Sequence, residues 1–253
     1  MAESGNGVLR LAMWSGPRNI STAVMRAWGN RNDTLVVDEP FYAHYLQVTG
    51  LQHPGRDEII ARHETDWRRV VAALLAPLPP HVRIHYQKQM AHHLLPHMDR
   101  GWLDSLTHAF LIRDPREMIA SLGEKLQGFD LLATGLPQQV EIFDHVIATT
   151  GRVPPVVDGA DLLHDPEGLL RALCRALGVA FDARMLWWPA GPRATDGVWA
   201  RHWYERVERS TGFEPLPERD SGAEPAALPA PLAEIEAACR PLYERLRAHC
   251  LRA

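Results

Sequence analysis

The stretch VLRLAMWSGPRNISTAVMRAWG, residues 8–29, decides how this chain folds. Residues 8–14 form a mostly apolar run of strand length, and residues 21–29 follow with apolar side chains at helical spacing. A short loop, SGPRNI, joins them. At such a junction the free N–H groups and the positive end of the helix dipole point outward. The segment therefore predicts a strand, loop and helix with an anion site at the turn.

Further strands and helices alternate along the rest of the chain. Apolar runs at 34–38, 83–87, 108–112 and 155–158 predict four more strands. Helical patterns lie at 57–75, 115–127 and 165–177. The last two begin at Asp-Pro, a capping residue followed by one suited to the first helical position. This alternation predicts an α/β fold, a three-layer and mostly parallel sheet flanked by helices, within a single domain over residues 1–213.

The C-terminal part has a different pattern. Residues 214–231 carry five prolines and predict a surface loop or linker. Residues 232–253 show apolar side chains at helical spacing and are expected to pack on the same domain. Because Pro241 lies inside that pattern, we expect two short helices or a kink rather than one straight helix.

Composition limits the possible partners and the compartment. The net charge is −4 and the pI about 6.3, so a non-specific nucleic-acid binder is not indicated. The three cysteines form no CxxC pair, which is typical of reduced thiols. No apolar run approaches the roughly 20 residues that cross a bilayer. We therefore expect a soluble, cytoplasmic protein with neither membrane nor nucleic acid as partner.

Two segments carry chemistry. In the loop after the first strand, Arg18 adds a cation while Ser21 and Thr22 add hydroxyl donors; the alternative is an ordinary helix start capped by Ser21 or Asn19. No GxxxxGK[ST] pattern is present. In RDPREMIAS, residues 113–121, Arg113 stands where the fourth strand ends and Ser121 lies two turns into the next helix. Alone, that pair favours a structural interpretation, with Arg113 in an ion pair and Ser121 as a small helix-packing residue.

Together the two segments resemble the sulfotransferases that use 3′-phosphoadenosine 5′-phosphosulfate (PAPS). In that family a basic residue followed by Ser/Thr holds the 5′-phosphosulfate, and an Arg with a Ser eight residues later holds the 3′-phosphate. SGPRNISTA resembles the first element and RDPREMIAS the second. The resemblance covers roughly residues 8–180. It implies a P-loop NTPase-like sulfotransferase fold, with PAPS as the donor and 3′-phosphoadenosine 5′-phosphate (PAP) as the product. It also implies that no metal is needed.

The resemblance also implies which residues bind the nucleotide. They are Gly16, Pro17, Arg18, Asn19, Ile20, Ser21, Thr22, Arg113 and Ser121. Two departures stand out. The lysine usual in the first loop is Arg18 here, and the glycine-rich C-terminal loop has only a loose counterpart, GPRATDGVW at 191–199, in which Arg193 is the candidate contact.

A proton acceptor is expected beside the anion site. Glu39 follows the second strand, and the carboxyl ends of parallel strands meet at one crevice. Glu39 is thus a candidate general base, as in the carbohydrate-modifying sulfotransferases that it resembles; the alternative is an ion pair or a cap. His44 is a second candidate base. Lys88, after the third strand, could bridge the leaving oxygen or the acceptor, or be a solvated surface lysine.

These observations predict an enzyme that moves a sulfuryl group from PAPS to a hydroxyl or amine of a small-molecule acceptor. Glu39, Arg18 and Lys88 are its candidate catalytic residues. Late tryptophans at 187, 188, 199 and 203 could wall the acceptor pocket, stack on the adenine, or pack in the core and at its rim. A P-loop kinase and a non-catalytic nucleotide-binding protein are the rival interpretations.

Overall fold

The computed structural model describes residues 7–126, 128–215 and 227–253. Its sheet has the strand order β2-β3-β1-β4-β5, and every pairing is parallel. The strands are β1 (Leu9–Ser15), β2 (Thr34–Asp38), β3 (Ile84–Met90), β4 (Thr107–Ile112) and β5 (Val156–Asp158). The chain builds β2 and β3 on one side of β1, and β4 and β5 on the other. A crevice is therefore expected beyond the carboxyl end of β1.

Helices cover both faces of the sheet. Their bounds are α1 (Ser21–Gly29), α2 (Tyr42–Thr49), α3 (Arg56–Arg62), α4 (Trp67–Leu75), α5 (Pro115–Gly123), α6 (Leu136–Thr150), α7 (Gly159–His164), α8 (Pro166–Ala176), α9 (Ala200–Trp203), α10 (Glu205–Arg209) and α11 (Ala230–Arg247). Alternate residues of β1 enter opposite cores. Leu11 and Met13 pack with α1 and α8, whereas Ala12 and Trp14 pack with α5, α6 and α11. The predicted three-layer α/β fold is confirmed.

The helix predicted over 57–75 is two helices, α3 and α4. His63, directly after α3, is extended with φ −123° and ψ 156°, which ends the first helix. Asp66 then caps the second, its carboxylate accepting from the Arg68 N–H at 2.9 Å. Asp66 therefore starts a new helix within a stretch whose apolar periodicity predicts one continuous helix.

Other boundaries also differ from the prediction. The helix predicted to reach residue 127 ends at Gly123, and β3 runs three residues beyond the predicted 87, to Met90. The helix α6, which follows Gly135, was not predicted. Of the predicted linker 214–231, residues 216–226 lie outside the described part of the chain.

The C-terminal helix is one element rather than two. The α11 helix is 18 residues long and continues through Pro241 without a break. On the C-terminal side of the proline, Leu246 is buried and the Tyr243 hydroxyl donates to Asp158 Oδ2 at 2.7 Å; on the other side Cys239 is buried. Packing on both sides holds the helix across the lost hydrogen bond. None of the helices seen in the described ranges is long and apolar enough to cross a membrane.

Candidate active site

A cavity of about 1080 Å³ opens at the carboxyl ends of the strands. The loop after β1, Glu39 after β2, Lys88 in β3, Arg113 after β4 and Gly159 after β5 all line it. The strand ends were predicted to converge on one crevice, and they do so in the structure.

The loop after β1 leaves the start of α1 open. Ile20 stands at the N-cap with no side-chain cap, and the first turn carries no acidic residue. The alternative that Ser21 or Asn19 caps this helix is wrong, because Ile20 occupies the N-cap. The Asn19 amide donates instead to the Leu111 carbonyl at 2.6 Å. First-turn N–H groups without a cap are suited to an anion. Pro17 and residues 18–23 line the cavity at this point.

The neighbouring glycine is required by a close approach. A Cβ atom on Gly16 would lie 2.4 Å from the carbonyl oxygen of Thr134, the residue before Gly135 at the start of α6. Real Cβ atoms essentially never come so near an oxygen. Any larger residue at 16 would therefore push the loop out of position.

Two guanidinium groups and a serine meet beside this loop. Arg18 Nε donates to Ser121 Oγ at 3.0 Å, and Arg113 Nη1 donates to the Arg18 carbonyl at 2.5 Å. Arg113 also donates to Glu117 at 3.3 Å. Burial, and then the nearby charge of Arg113, lower the pKa of Arg18. Two cations held together in this way form a site that an anion would stabilise.

Glu39 belongs to a buried polar group that also lines the cavity. Lys88 Nζ donates to Asp38 Oδ1 at 3.0 Å, Glu39 Oε1 at 2.7 Å and the Tyr204 hydroxyl at 2.5 Å. The Tyr204 hydroxyl donates to Asp38, 2.8 and 2.9 Å from its two oxygens. The Lys88 side chain is 1% exposed, so the surface-lysine alternative is wrong.

The charges of this group bias its protonation. Burial, only partly offset by Lys88, raises the pKa of Glu39, and the Asp38 charge raises it further. Burial opposes the charge of Lys88, but Asp38 and Glu39 outweigh it and raise the pKa of the ammonium. Glu39 keeps 12% of its side chain exposed. A carboxylate with a raised pKa that reaches the cavity suits a general base.

Strained backbone is concentrated at this site. Among the described non-glycine residues, positive φ occurs only at Arg18 (56°), Ile20 (30°) and Glu39 (41°). Such conformations cost roughly 1–3 kcal/mol each. All three residues line the cavity.

Some predicted site residues lie elsewhere. Arg193 does not line the cavity; its guanidinium donates to the Pro189 carbonyl at 3.1 Å. His44 is also outside the lining, and both its ring nitrogens are engaged, with the Thr65 carbonyl at 2.7 Å and with His97 at 3.0 Å. Of the late tryptophans, only the one at 203 lines the cavity.

Sequence reasoning missed one wall of the cavity. It is formed by aromatic and imidazole rings from α2 and the segment after β3, among them Tyr42, Tyr45, His92 and His93. His93 stacks on Tyr42, with centroids 4.8 Å apart, and on Tyr45 at 4.7 Å. Burial lowers the pKa of His92 to about 3 and that of His93 as well, so both rings are neutral. The adjacent histidines were visible in the sequence, but no spacing linked them to the tyrosines.

Tyr204 was also missed. It follows the four-residue helix α9 and meets Asp38 across 166 positions of sequence. No local pattern marks such a contact. Within the residues that the structure covers, no group of three or more His, Cys, Asp or Glu is placed to hold a metal ion.

Two plant proteins are similar in sequence to most of this chain. Two Arabidopsis thaliana proteins, branched-chain-amino-acid aminotransferase-like proteins 1 and 2, are 36% and 34% identical over 236 residues. The alignments cover 93% of this chain but only 41% of each relative, so the chain spans about two fifths of their length.

Two solved structures share the fold. The sulfotransferase domain of the Synechococcus PCC 7002 olefin synthase superposes with a TM-score of 0.55 at 19% identity, covering 94% of this chain and 96% of that one. A sulfotransferase from Alicyclobacillus acidocaldarius gives 0.50 at 15% identity, covering 95% and 94%. A family model described as a sulfotransferase domain matches residues 9–248. Since that match takes in nearly the whole sequence, the chain belongs to the sulfotransferase family.

Proposed function

We propose that this protein transfers a sulfuryl group from PAPS to a hydroxyl or amine of a small-molecule acceptor. One observation carries the proposal: the Arg18, Arg113 and Ser121 group and the Glu39 carboxylate face the same cavity. Membership of the sulfotransferase family supports the type of transfer. The donor, the acceptor class and the residue roles are our inference.

The donor side of the cavity fits a ligand with two anionic ends. The uncapped start of α1, with Ser21 and Thr22, would hold the phosphosulfate. Arg113 and Ser121 would hold the 3′-phosphate. Arg18 would stand between the two anions, because its side chain already bonds Ser121. Bound PAPS would supply an activated sulfuryl group whose leaving phosphate gains negative charge, which these cations and N–H groups can stabilise.

On the acceptor side, Glu39 would take the proton that the acceptor loses. Its Oε1 is bonded to Lys88, and within the residues described its Oε2 has no hydrogen-bond partner that would compete with an acceptor. Lys88 would act by holding Oε1 and fixing the carboxylate. The neutral aromatic wall would exclude water and position a small acceptor.

The first experiment is calorimetric titration with PAP, beside ADP and ATP, with and without magnesium. We expect PAP to bind most tightly, with or without the metal, and Arg113→Ala to weaken it by about tenfold or more. Arg175→Ala, an exposed arginine on α8, is the matched control and should bind PAP normally. Arg193→Ala tests the last predicted contact, and normal binding there would remove Arg193 from the nucleotide site.

Either rival has its own result. A strict requirement for magnesium with ATP would favour the kinase. Tight PAP binding without ³⁵S transfer from labelled PAPS to a panel of alcohols, phenols and amines would favour the non-catalytic protein. Loss of transfer in Glu39→Gln with PAP binding intact would support Glu39 as the base.

A further inference from the structure

The buried group around Glu39 uses its donors unequally. An ammonium has three N–H donors, and Lys88 donates one each to Asp38, Glu39 and Tyr204. The Tyr204 hydroxyl has one proton to donate, and its oxygen lies 2.8 and 2.9 Å from the Asp38 oxygens but 3.4 Å from Glu39 Oε1. That proton therefore goes to Asp38.

Asp38 is thereby held in place by hydrogen bonds to both of its oxygens. Besides Lys88 and Tyr204, it accepts from the Gly197 N–H at 3.2 Å. Glu39 has only Lys88 as a close donor, and its side chain lines the cavity and stays 12% exposed. The two adjacent carboxylates therefore have different roles.

Tyr204 is the residue that creates this difference. Its oxygen accepts from Lys88 and, at 3.1 Å, from Trp199 Nε1, so its own proton has one direction left. Tyr204 is 4% exposed, which leaves the hydroxyl little freedom to turn away. The segment that carries it is anchored nearby by a buried ion pair between Arg26 and Asp196, 2.7 Å long.

We propose that Tyr204 is a positioning residue: it fixes Asp38 and Lys88 so that Glu39 is the one carboxylate open to take the acceptor proton. The inference rests on the proposed function of Glu39 as base. Tyr204 acts through Asp38 and Lys88 and need not touch the acceptor. The charged and titratable groups that face Glu39 are Lys88 from β3, Asp38 from β2, Tyr42 from α2 and Tyr204 itself.

Two substitutions at this group should act in opposite directions. Tyr204→Phe removes the hydroxyl that donates to Asp38 and also weakly reaches Glu39, so Glu39 should titrate at higher pH, by about one unit. Asp38→Asn removes the like charge and leaves Lys88 to Glu39 alone, so Glu39 should titrate at lower pH by about as much.

The measurement is a ¹³C NMR titration of protein labelled at the glutamate carboxyl carbons. The Glu39 signal is identified as the one that Glu39→Gln lacks. Tyr86→Phe is the matched control, since Tyr86 is buried on the same strand as Lys88 and its hydroxyl has no hydrogen-bond partner in the described part of the chain. Its Glu39 should titrate as in the wild type.

An unchanged Glu39 titration in Tyr204→Phe, or an upward shift in Asp38→Asn, would overturn the inference. If Tyr204→Phe does not fold, judged by circular dichroism, an upward shift in Asp38→Asn still overturns the inference, because it would show that Asp38 does not compete with Glu39 for Lys88. The titration needs neither donor nor acceptor, so it fails or succeeds independently of sulfuryl transfer. Where transfer is measured, the acid limb of kcat/KM should move to higher pH in Tyr204→Phe, which a packing role alone would not cause.

Discussion

Replacing Lys88 by methionine should destabilise the protein in a way that depends on pH. The side chain is 1% exposed and is the shared partner of two carboxylates whose side chains are 1% and 12% exposed. Methionine fills much of the same volume but leaves both anions without their cation. Removing one partner of a buried ion pair costs about 3–5 kcal/mol. Because Glu39 reaches the cavity, we expect the lower half of that range.

The sign of the pH dependence follows from the raised pKa of Glu39. A carboxyl group whose pKa is higher in the folded state than in the unfolded chain favours folding at low pH and opposes it as pH rises through the folded value. Without Lys88 that pKa rises further. The deficit of the variant should thus be full near neutral pH and shrink as the pH falls towards the ordinary glutamate range of about 4.3.

Urea unfolding followed by circular dichroism at several pH values measures this. Proteins of this kind have total stabilities of about 5–15 kcal/mol, so the loss is readily resolved. Lys125→Met, an exposed lysine at the rim of the same cavity, is the control and should change stability by no more than about 0.5 kcal/mol. If Lys88→Met matches the wild type near neutral pH, or its deficit is the same at every pH, the charge reasoning is refuted.

Three further outcomes are expected. Glu39→Gln should lower sulfuryl transfer by about 10²–10⁴-fold while leaving the PAP affinity measured by calorimetry within a factor of two or so. Gly16→Ala should cost about 1–3 kcal/mol in urea unfolding and weaken PAP binding, because its Cβ meets the Thr134 carbonyl; an unchanged variant would show that the loop can move freely. Burial lowers the pKa of His108 to about 4, so as the pH falls the unfolded chain binds a proton at this imidazole before the folded protein does. Stability should therefore drop between about pH 6.5 and 4. The drop should be smaller in His108→Gln if that variant folds.

The first strand, its loop and α1 were predictable because their signals are local. The helix was predicted at its observed bounds and the strand within one residue at each end. The position of Glu39 at the crevice followed from a rule of topology, since parallel strands end at the same edge. The meeting of Arg18 with Ser121 required a resemblance to a known family before it could be expected.

What could not be predicted depends on distant contacts or on a single capping residue. Tyr204 comes from a segment with no regular pattern and reaches Asp38 only in the folded chain. Asp66 divides what reads as one helix. At Pro241 the error is the opposite one. The sequence predicts a break there, but packing against α5 and α6 keeps α11 continuous.

The left-handed backbone at Arg18, Ile20 and Glu39 has a consequence for directed evolution. Glycine adopts positive φ at almost no cost, so at each of these positions it would relieve local strain. A mutant library screened for heat resistance alone would therefore be drawn towards glycine at 18, where burial and the charge of Arg113 already disfavour the guanidinium. At 39 the buried ion pair with Lys88 opposes the same exchange. A glycine variant at 18 would lose the guanidinium that faces the cavity, so screens of this enzyme need a selection for turnover in every round.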